Sequence, residues 1–81
     1  MKYAFPVIFR TDKENTKLIN VCIPDIPGAV TFGQDLENAR YMAKDLLIAL
    51  SEEVKIATAS SLQQTKQNFT NEIVEMVEVE I

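Results

Sequence analysis

The 81-residue sequence predicts an α+β fold in the order β-β-β-α-(short α)-β, with an antiparallel sheet and one main helix packed on one face. Three patterns indicate this fold. Apolar residues alternate with other residues at the beginning of the chain and again at its end, which is typical of half-buried strands. A segment between them repeats its apolar residues at helical spacing. The last strand must return to the sheet of the others in order to bury its apolar side.

Length and composition predict one domain, residues 1–81, with a packed core. Hydrophobic residues make up 47% of the chain, which is ordinary for a globular protein. A chain of this size buries only about 60–65% of the surface of its unfolded state. We therefore expect a second copy or a partner to reinforce the fold, and we expect a homo-oligomer, a dimer or larger.

Four strands are predicted, at 2–10, 18–23, 29–32 and 73–81. Because proline lacks the N–H that a ladder needs, we expect a sheet edge or a bulge at Pro6 in the first strand. In the last strand, apolar residues alternate with glutamates, which places carboxylates on its outer face. The apolar side of the first strand consists of Tyr3, Phe5, Val7 and Phe9.

The stretch "IPDIPGAV", between the second and third strands, predicts a rigid corner. Pro24 ends a ladder because it lacks an N–H, and Asp25 can accept a hydrogen bond from the backbone two residues on. Pro27 and Gly28 fit the central pair of a type II turn. As structure alone, these residue types explain a reproducible corner.

The main helix is predicted at 36–50. Gly33 ends the preceding strand, and Asp35 has the residue type and position of a helix N-cap. Two residues seven apart, Tyr41 and Ile48, break the pattern because they lie on the outer face. Either a loop covers them, or they form a small patch for a partner.

The segment 51–72 is too long to be a loop without secondary structure in so small a domain. Ser60 and Gln63 have capping-box spacing, and Leu62 and Phe69 lie seven residues apart on one helical face. We therefore expect one short helix here, held by Leu62 and Phe69.

The residue types argue against an enzyme. The chain has no histidine, which removes the commonest general base and metal ligand. Cys22 lies in a predicted strand and is expected to be a small buried hydrophobe. The carboxylates that could bind magnesium are scattered over a turn, a helix cap and a strand face, namely Asp25, Asp35, Glu78 and Glu80. We expect no catalytic residue, no cofactor and no metal site.

The net charge of −4, from 8 basic and 12 acidic residues, predicts the kind of partner. Nucleic-acid affinity depends on cations placed on phosphates, so we expect no direct nucleic-acid binding. An acidic surface instead attracts a basic protein. The alternative is that the charge only keeps the surface soluble.

The same residues predict a cytoplasmic protein that does not contact a membrane. A single cysteine cannot form an internal disulfide, which suits a reducing compartment. The apolar run in the first ten residues is too short for a signal peptide, and a proline and an arginine interrupt it. No apolar stretch approaches the roughly 20 residues of a membrane helix.

The stretches "FPVIF", "IPDIPGAVTFGQDLENA" and "VEVEI" together resemble the HicB-like antitoxin family. The resemblance implies a fold similar to a truncated ribonuclease H without its catalytic carboxylates. It also implies a partner, HicA, a small basic toxin that cleaves messenger RNA and whose RNA-facing surface the antitoxin covers. Many members add a C-terminal DNA-binding module. This sequence stops at the last strand, so we expect the chain alone not to bind DNA.

The sequence therefore predicts an antitoxin of a type II toxin–antitoxin pair that binds its toxin directly. The residues predicted to contact the partner are Asp25, Ile26, Phe32, Tyr41 and Ile48. We favour the corner, Asp25, Ile26 and Phe32, because a preorganised loop loses little entropy on binding. Two alternatives remain: an orphan HicB-like module that binds another protein or a small ligand, and a divergent metal-dependent nuclease using Asp25 or Glu78.

Overall fold

The computed structural model describes all 81 residues, Met1–Ile81. Its elements follow the order β1-β2-β3-α1-α2-α3-β4, so the α+β order is as predicted, with one additional short helix. The strands are β1 (Lys2–Thr11), β2 (Ile19–Cys22), β3 (Val30–Gly33) and β4 (Ile73–Glu80). The helices are α1 (Leu36–Ala49), α2 (Ser51–Ile56) and α3 (Leu62–Asn68).

The four strands form one antiparallel sheet in the order β3-β2-β1-β4. β4 pairs with β1 in an uninterrupted register, whereas β2 pairs only with Ile8–Thr11 of β1. Pro6 lies opposite Met76 without a bulge. Of the two predicted alternatives, the sheet edge is therefore confirmed and the bulge is absent. Proline is tolerated because this half of β1 has a strand neighbour on one side only.

Helix α1 packs on one face of the sheet and forms the main core with it. The side of β1 that the sequence marks as apolar faces this helix. Three small or medium side chains of α1 lie at the contact, which lets the helix approach the sheet closely. The core contains the buried side chains Phe5, Val7, Phe9, Val21, Ile23, Ile26, Ala29, Ala39, Ala43, Leu47, Val54, Val77 and Val79.

The beginning of α1 is fixed against β3 by a close backbone contact and a reciprocal cap. A Cβ atom at Gly33 would lie 2.4 Å from the backbone nitrogen of Ala39, so only glycine fits. The Asp35 carboxylate accepts a hydrogen bond from the N–H of Asn38 at 2.7 Å. The Asn38 side-chain oxygen accepts from the N–H of Gln34 at 2.9 Å. The arrangement is similar to a capping box, but the side chain at the third helical position is asparagine and it accepts from the residue before the N-cap.

Helix α2 was not predicted. It follows α1 after a break at Leu50, whose backbone angles (φ −99°, ψ 35°) leave the helical range. Only Val54 of its six residues is buried, and it packs in the main core. A six-residue helix with one buried side chain has no periodicity that a sequence pattern could detect.

Helix α3 corresponds to the predicted short helix, with a start that differs by one residue. Its N-cap is Ser61, whose hydroxyl accepts a hydrogen bond from the N–H of Gln64 at 3.1 Å. The predicted capping pair Ser60 and Gln63 is therefore wrong, because Ser60 bonds elsewhere.

Helix α3 covers part of the sheet face opposite α1. Strand alternation places Pro6, Ile8 and Val74 on this face, and all three are buried although none belongs to the main core. Leu62 and Phe69 are half-buried, as expected for the inner side of α3, and α3 contacts β4. The fold thus has helices on both faces. The β2–β3 half of the second face remains uncovered.

Candidate protein-binding surfaces

The corner between β2 and β3 consists of two successive turns. The N–H of Ile26 donates to the carbonyl of Ile23, and the N–H of Ala29 donates to the carbonyl of Ile26, both at 3.1 Å. Pro27 and Gly28 form the centre of the second turn, and Gly28 has φ +78°, which a type II turn requires at that position. The predicted turn is present.

The side chain of Asp25 bonds to a distant segment and not to its own backbone, which corrects the prediction. Its carboxylate oxygens accept hydrogen bonds from the N–H and the hydroxyl of Ser60, at 2.8 and 2.7 Å. Both residues are half-buried. Asp25 therefore ties the corner to the chain that leads into α3.

Ile26, predicted to contact a partner, is instead a core residue. Its side chain is only 2% exposed and belongs to the main core. In this conformation it cannot reach a partner, and its replacement would destabilise the fold as well as test binding. The corner is rigid because Ile26 is buried, and the same burial removes it from the surface.

Tyr41 and Ile48 form an exposed patch on the outer face of α1, which we call the helix-face patch. They are 66% and 55% exposed. The prediction that a loop covers them is therefore wrong. Tyr41 also borders a shallow depression lined by Asp35, Glu37 and Asn38. An aromatic ring thus lies beside carboxylates at the N-terminal end of the helix.

Val30 and Phe32 form a second exposed apolar surface, which we call the edge patch. They are 65% and 57% exposed and lie on the uncovered half of the second face. Cys22, opposite Val30, is a free thiol and only half-buried, which corrects its predicted burial. Phe32 was predicted to contact a partner, whereas Val30 was not. Strand alternation, which puts these two residues on one side, could have found it.

The strongest ion pair joins α1 to β4. The guanidinium of Arg40 donates two hydrogen bonds to the carboxylate of Glu75, at 2.8 and 2.7 Å. These bonds and the positive charge hold the pKa of Glu75 below its usual value of 4.5, against a smaller opposing effect of burial. Arg10 pairs with Glu72 at 2.9 Å. Two cations are thus already neutralised by glutamates.

The structure contains no group of three or more cysteine, aspartate or glutamate residues that could hold a metal ion. The two aspartates nearest the corner have structural partners, since Asp25 bonds to Ser60 and Asp35 caps α1. No helix is long and apolar enough to cross a bilayer.

Comparisons with known proteins identify one family. The family model of the HicB-like antitoxin of the bacterial toxin–antitoxin system matches residues 5–81. The fold is similar to the crystal structure of the N-terminal domain of Burkholderia pseudomallei antitoxin HicB, with a TM-score of 0.73 and 18% identity over the whole of both chains. It is also similar to the Burkholderia pseudomallei antitoxin HicB, with a TM-score of 0.70 and 23% identity, where it spans 64% of that chain. No curated protein matches the sequence.

Proposed function

Because the chain belongs to the HicB-like antitoxin family of bacterial toxin–antitoxin systems, we propose that it neutralises a HicA-type, mRNA-cleaving toxin by binding it directly. The protein occupies the toxin's RNA-facing surface and does no chemistry of its own. Its net charge of −4 supports this, because a surface that binds RNA is basic and an acidic protein complements it. Family membership over residues 5–81 is the observation that carries the proposal.

The helix-face patch is the surface we assign to the toxin. The corner that the sequence favoured is less suitable, because Ile26 is buried and Asp25 is bonded to Ser60. Tyr41 and Ile48 are exposed without a partner inside the chain. Tyrosine is enriched among the residues that dominate binding energy, since it buries a large rigid area.

Carboxylates beside the helix-face patch give it the chemistry to bind a basic surface. Glu37 lies one turn before Tyr41 on the same face of α1, and both border the same depression. A toxin arginine or lysine placed there contacts the ring through a cation–π interaction and the carboxylate through an ion pair. Such a cation would otherwise bind RNA phosphate, so its capture blocks the substrate.

We also propose that the protein works in the cytoplasm, where messenger RNA is available, and as a homo-oligomer. Its single cysteine suits a reducing compartment. An 81-residue domain with two open sheet edges has both a small core and surfaces available for pairing.

The test is co-expression with the product of the reading frame next to its gene. We expect the wild-type chain to restore growth that the toxin arrests, and to co-purify with the toxin. Tyr41→Ala combined with Ile48→Ala should weaken binding by at least about tenfold and reduce rescue. Met76→Ala, also an exposed apolar residue but on β4, is the matched control and should behave as wild type.

Two outcomes separate the parts of this proposal. No binding by the wild-type chain would contradict the antitoxin function and favour an orphan module. Binding that the Tyr41/Ile48 variant retains in full would leave the function in place and overturn the assignment of the surface. Circular dichroism of both variants checks that each is folded.

A further inference from the structure

Strand β3 leaves backbone hydrogen-bonding groups unpaired along one edge of the sheet. The N–H of Ile23 donates to the carbonyl of Ala29 at 3.0 Å, which fixes which residues of β3 bond to β2. Hydrogen-bonded and non-hydrogen-bonded pairs alternate along an antiparallel ladder. Because Ala29 is bonded to β2, Thr31, two residues on, also directs its N–H and C=O toward β2. Val30 and Phe32, on either side of it, direct theirs outward to solvent.

The two edges of the sheet are not equally protected against pairing. β4, the other edge strand, carries Glu78 and Glu80 as exposed carboxylates on one face. Two copies of β4 pairing side by side would bring these carboxylates together, which is unfavourable. β3 has the sequence VTFG, with no charge, no proline and no bulge. It therefore lacks the features by which edge strands usually prevent association.

The helix layer above β3 is also apolar. Because Arg40 reaches Glu75, that flank of α1 faces β4. The opposite flank, on the β3 side, carries Met42, Leu46 and Ala49 by helical spacing. Ala49 is exposed, and the other two are half-buried. The β3 side of the molecule is thus apolar in the sheet layer and in the helix layer.

We propose that the β3 strands of two copies pair antiparallel about a two-fold axis at Thr31, forming one continuous eight-stranded sheet. In this register Val30 lies opposite Phe32 of the partner copy. Their outward N–H and C=O groups then form hydrogen-bonded pairs, two bonds at each of the two symmetric positions. The edge patches meet across the axis on one face, and the apolar flanks of α1 approach each other on the other.

A second copy fits this edge better than a basic protein does. A two-fold axis makes the surface its own complement, because each exposed valine meets a phenylalanine. β3 itself offers no carboxylate to attract a basic partner. This inference gives geometry to the proposed oligomer. The proposed dimer contact contains no residue of the helix-face patch. An experiment can therefore contradict dimer formation without contradicting toxin binding, and the reverse.

The first test measures the mass of the purified chain over a concentration series by analytical ultracentrifugation. We expect a dimer for the wild-type chain. Phe32→Lys should raise the dissociation constant at least about tenfold, because it puts a charge on the bare edge. Met76→Lys, on the same face but at the other edge, should leave it unchanged. A monomeric wild type, a Phe32→Lys protein that still dimerises normally, or equal weakening by both variants would each overturn the proposal.

The second test detects the register directly. Non-hydrogen-bonded antiparallel pairs have Cα atoms about 4.5 Å apart, which is within the range of a disulfide. In a Cys22→Ser background, Thr31→Cys should therefore cross-link to itself under mild oxidation and give a covalent dimer. Met76→Cys in the same background should not. Absence of the Thr31→Cys dimer, or equal cross-linking of the control, would contradict the two-fold axis at Thr31.

Discussion

At the scale of single residues, Asp25 connects the corner to the segment that leads into α3. Its carboxylate receives two hydrogen bonds from Ser60, at 2.8 and 2.7 Å. Because Ser60 immediately precedes the N-cap of α3, this contact fixes where the chain passes from one face of the sheet to the other. A carboxylate at this position thus has a structural task that needs no partner protein.

Asp25→Ala should lower the free energy of unfolding by about 1.5–3 kcal/mol, since hydrogen bonds to a charged group contribute that much. Ser60→Ala should cost about 1 kcal/mol, because the backbone N–H still donates. The double variant should lose less than the sum, since both changes remove one shared bond. Urea unfolding followed by circular dichroism measures these values.

Asp45→Ala, at an exposed position on α1, is the control and should change stability by no more than about 0.5 kcal/mol. Strictly additive losses for Asp25 and Ser60 would contradict the contact.

At the scale of elements, the Arg40–Glu75 pair joins α1 to the last strand. It closes the fold between two elements that are far apart in sequence. Hydrogen bonds from Arg40 lower the pKa of Glu75, so the charged carboxylate is favoured in the folded state. A lowered pKa adds stability above the pKa of the unfolded chain, and this stability is lost as the pH falls through the folded pKa.

Glu75→Gln should therefore destabilise the protein at pH 7, and the difference from wild type should shrink as the pH falls below about 4.5. The pH dependence of the urea midpoint for the two proteins measures this. Glu14→Gln, in the exposed β1–β2 loop, is the control and should track wild type throughout. A Glu75→Gln difference that stays constant down to pH 3 would show that the charge of Glu75 is not involved.

Elements with a clear period could be predicted, and short elements could not. Alternation in β1 and β4 and the stripe of α1 identified those elements, because each buries a regular set of side chains. α2 buries one residue, so it has no period. At α3, Ser60 and Ser61 are adjacent, and the local sequence does not distinguish which one caps the helix. That choice depends on Asp25, which is 35 residues away in sequence.

At the scale of the whole molecule, surface exposure depends on tertiary contacts that the sequence does not reveal. Ile26 looked like an exposed loop residue, but the corner folds it into the core. Tyr41 and Ile48 were correctly placed on the outer face of α1, and only the structure shows that no other segment covers them. The family was recognisable from the sequence because the corner and the helix start require particular residue types, such as Gly28 and Gly33.

The two proposed surfaces differ in charge, and this difference predicts opposite responses to salt. Association with a basic toxin is accelerated by the net charge of −4, and salt screens that attraction. The β3 edge has no charged side chain, so its pairing depends on backbone hydrogen bonds and apolar contact. Raising the ionic strength from about 0.01 to 0.15 M should therefore slow association with an inactive toxin variant by about tenfold or more. Over the same range the dimer dissociation constant should change by less than about threefold.

Stopped-flow mixing measures the association rate, and sedimentation measures the dimer. An association rate that does not respond to salt would show that charge does not guide toxin binding. A dimer that weakens in parallel with the toxin complex would show that a charged surface, and not β3, joins the two copies. Phe32→Lys provides the internal comparison, because it should weaken the dimer while leaving the salt dependence of toxin association in place.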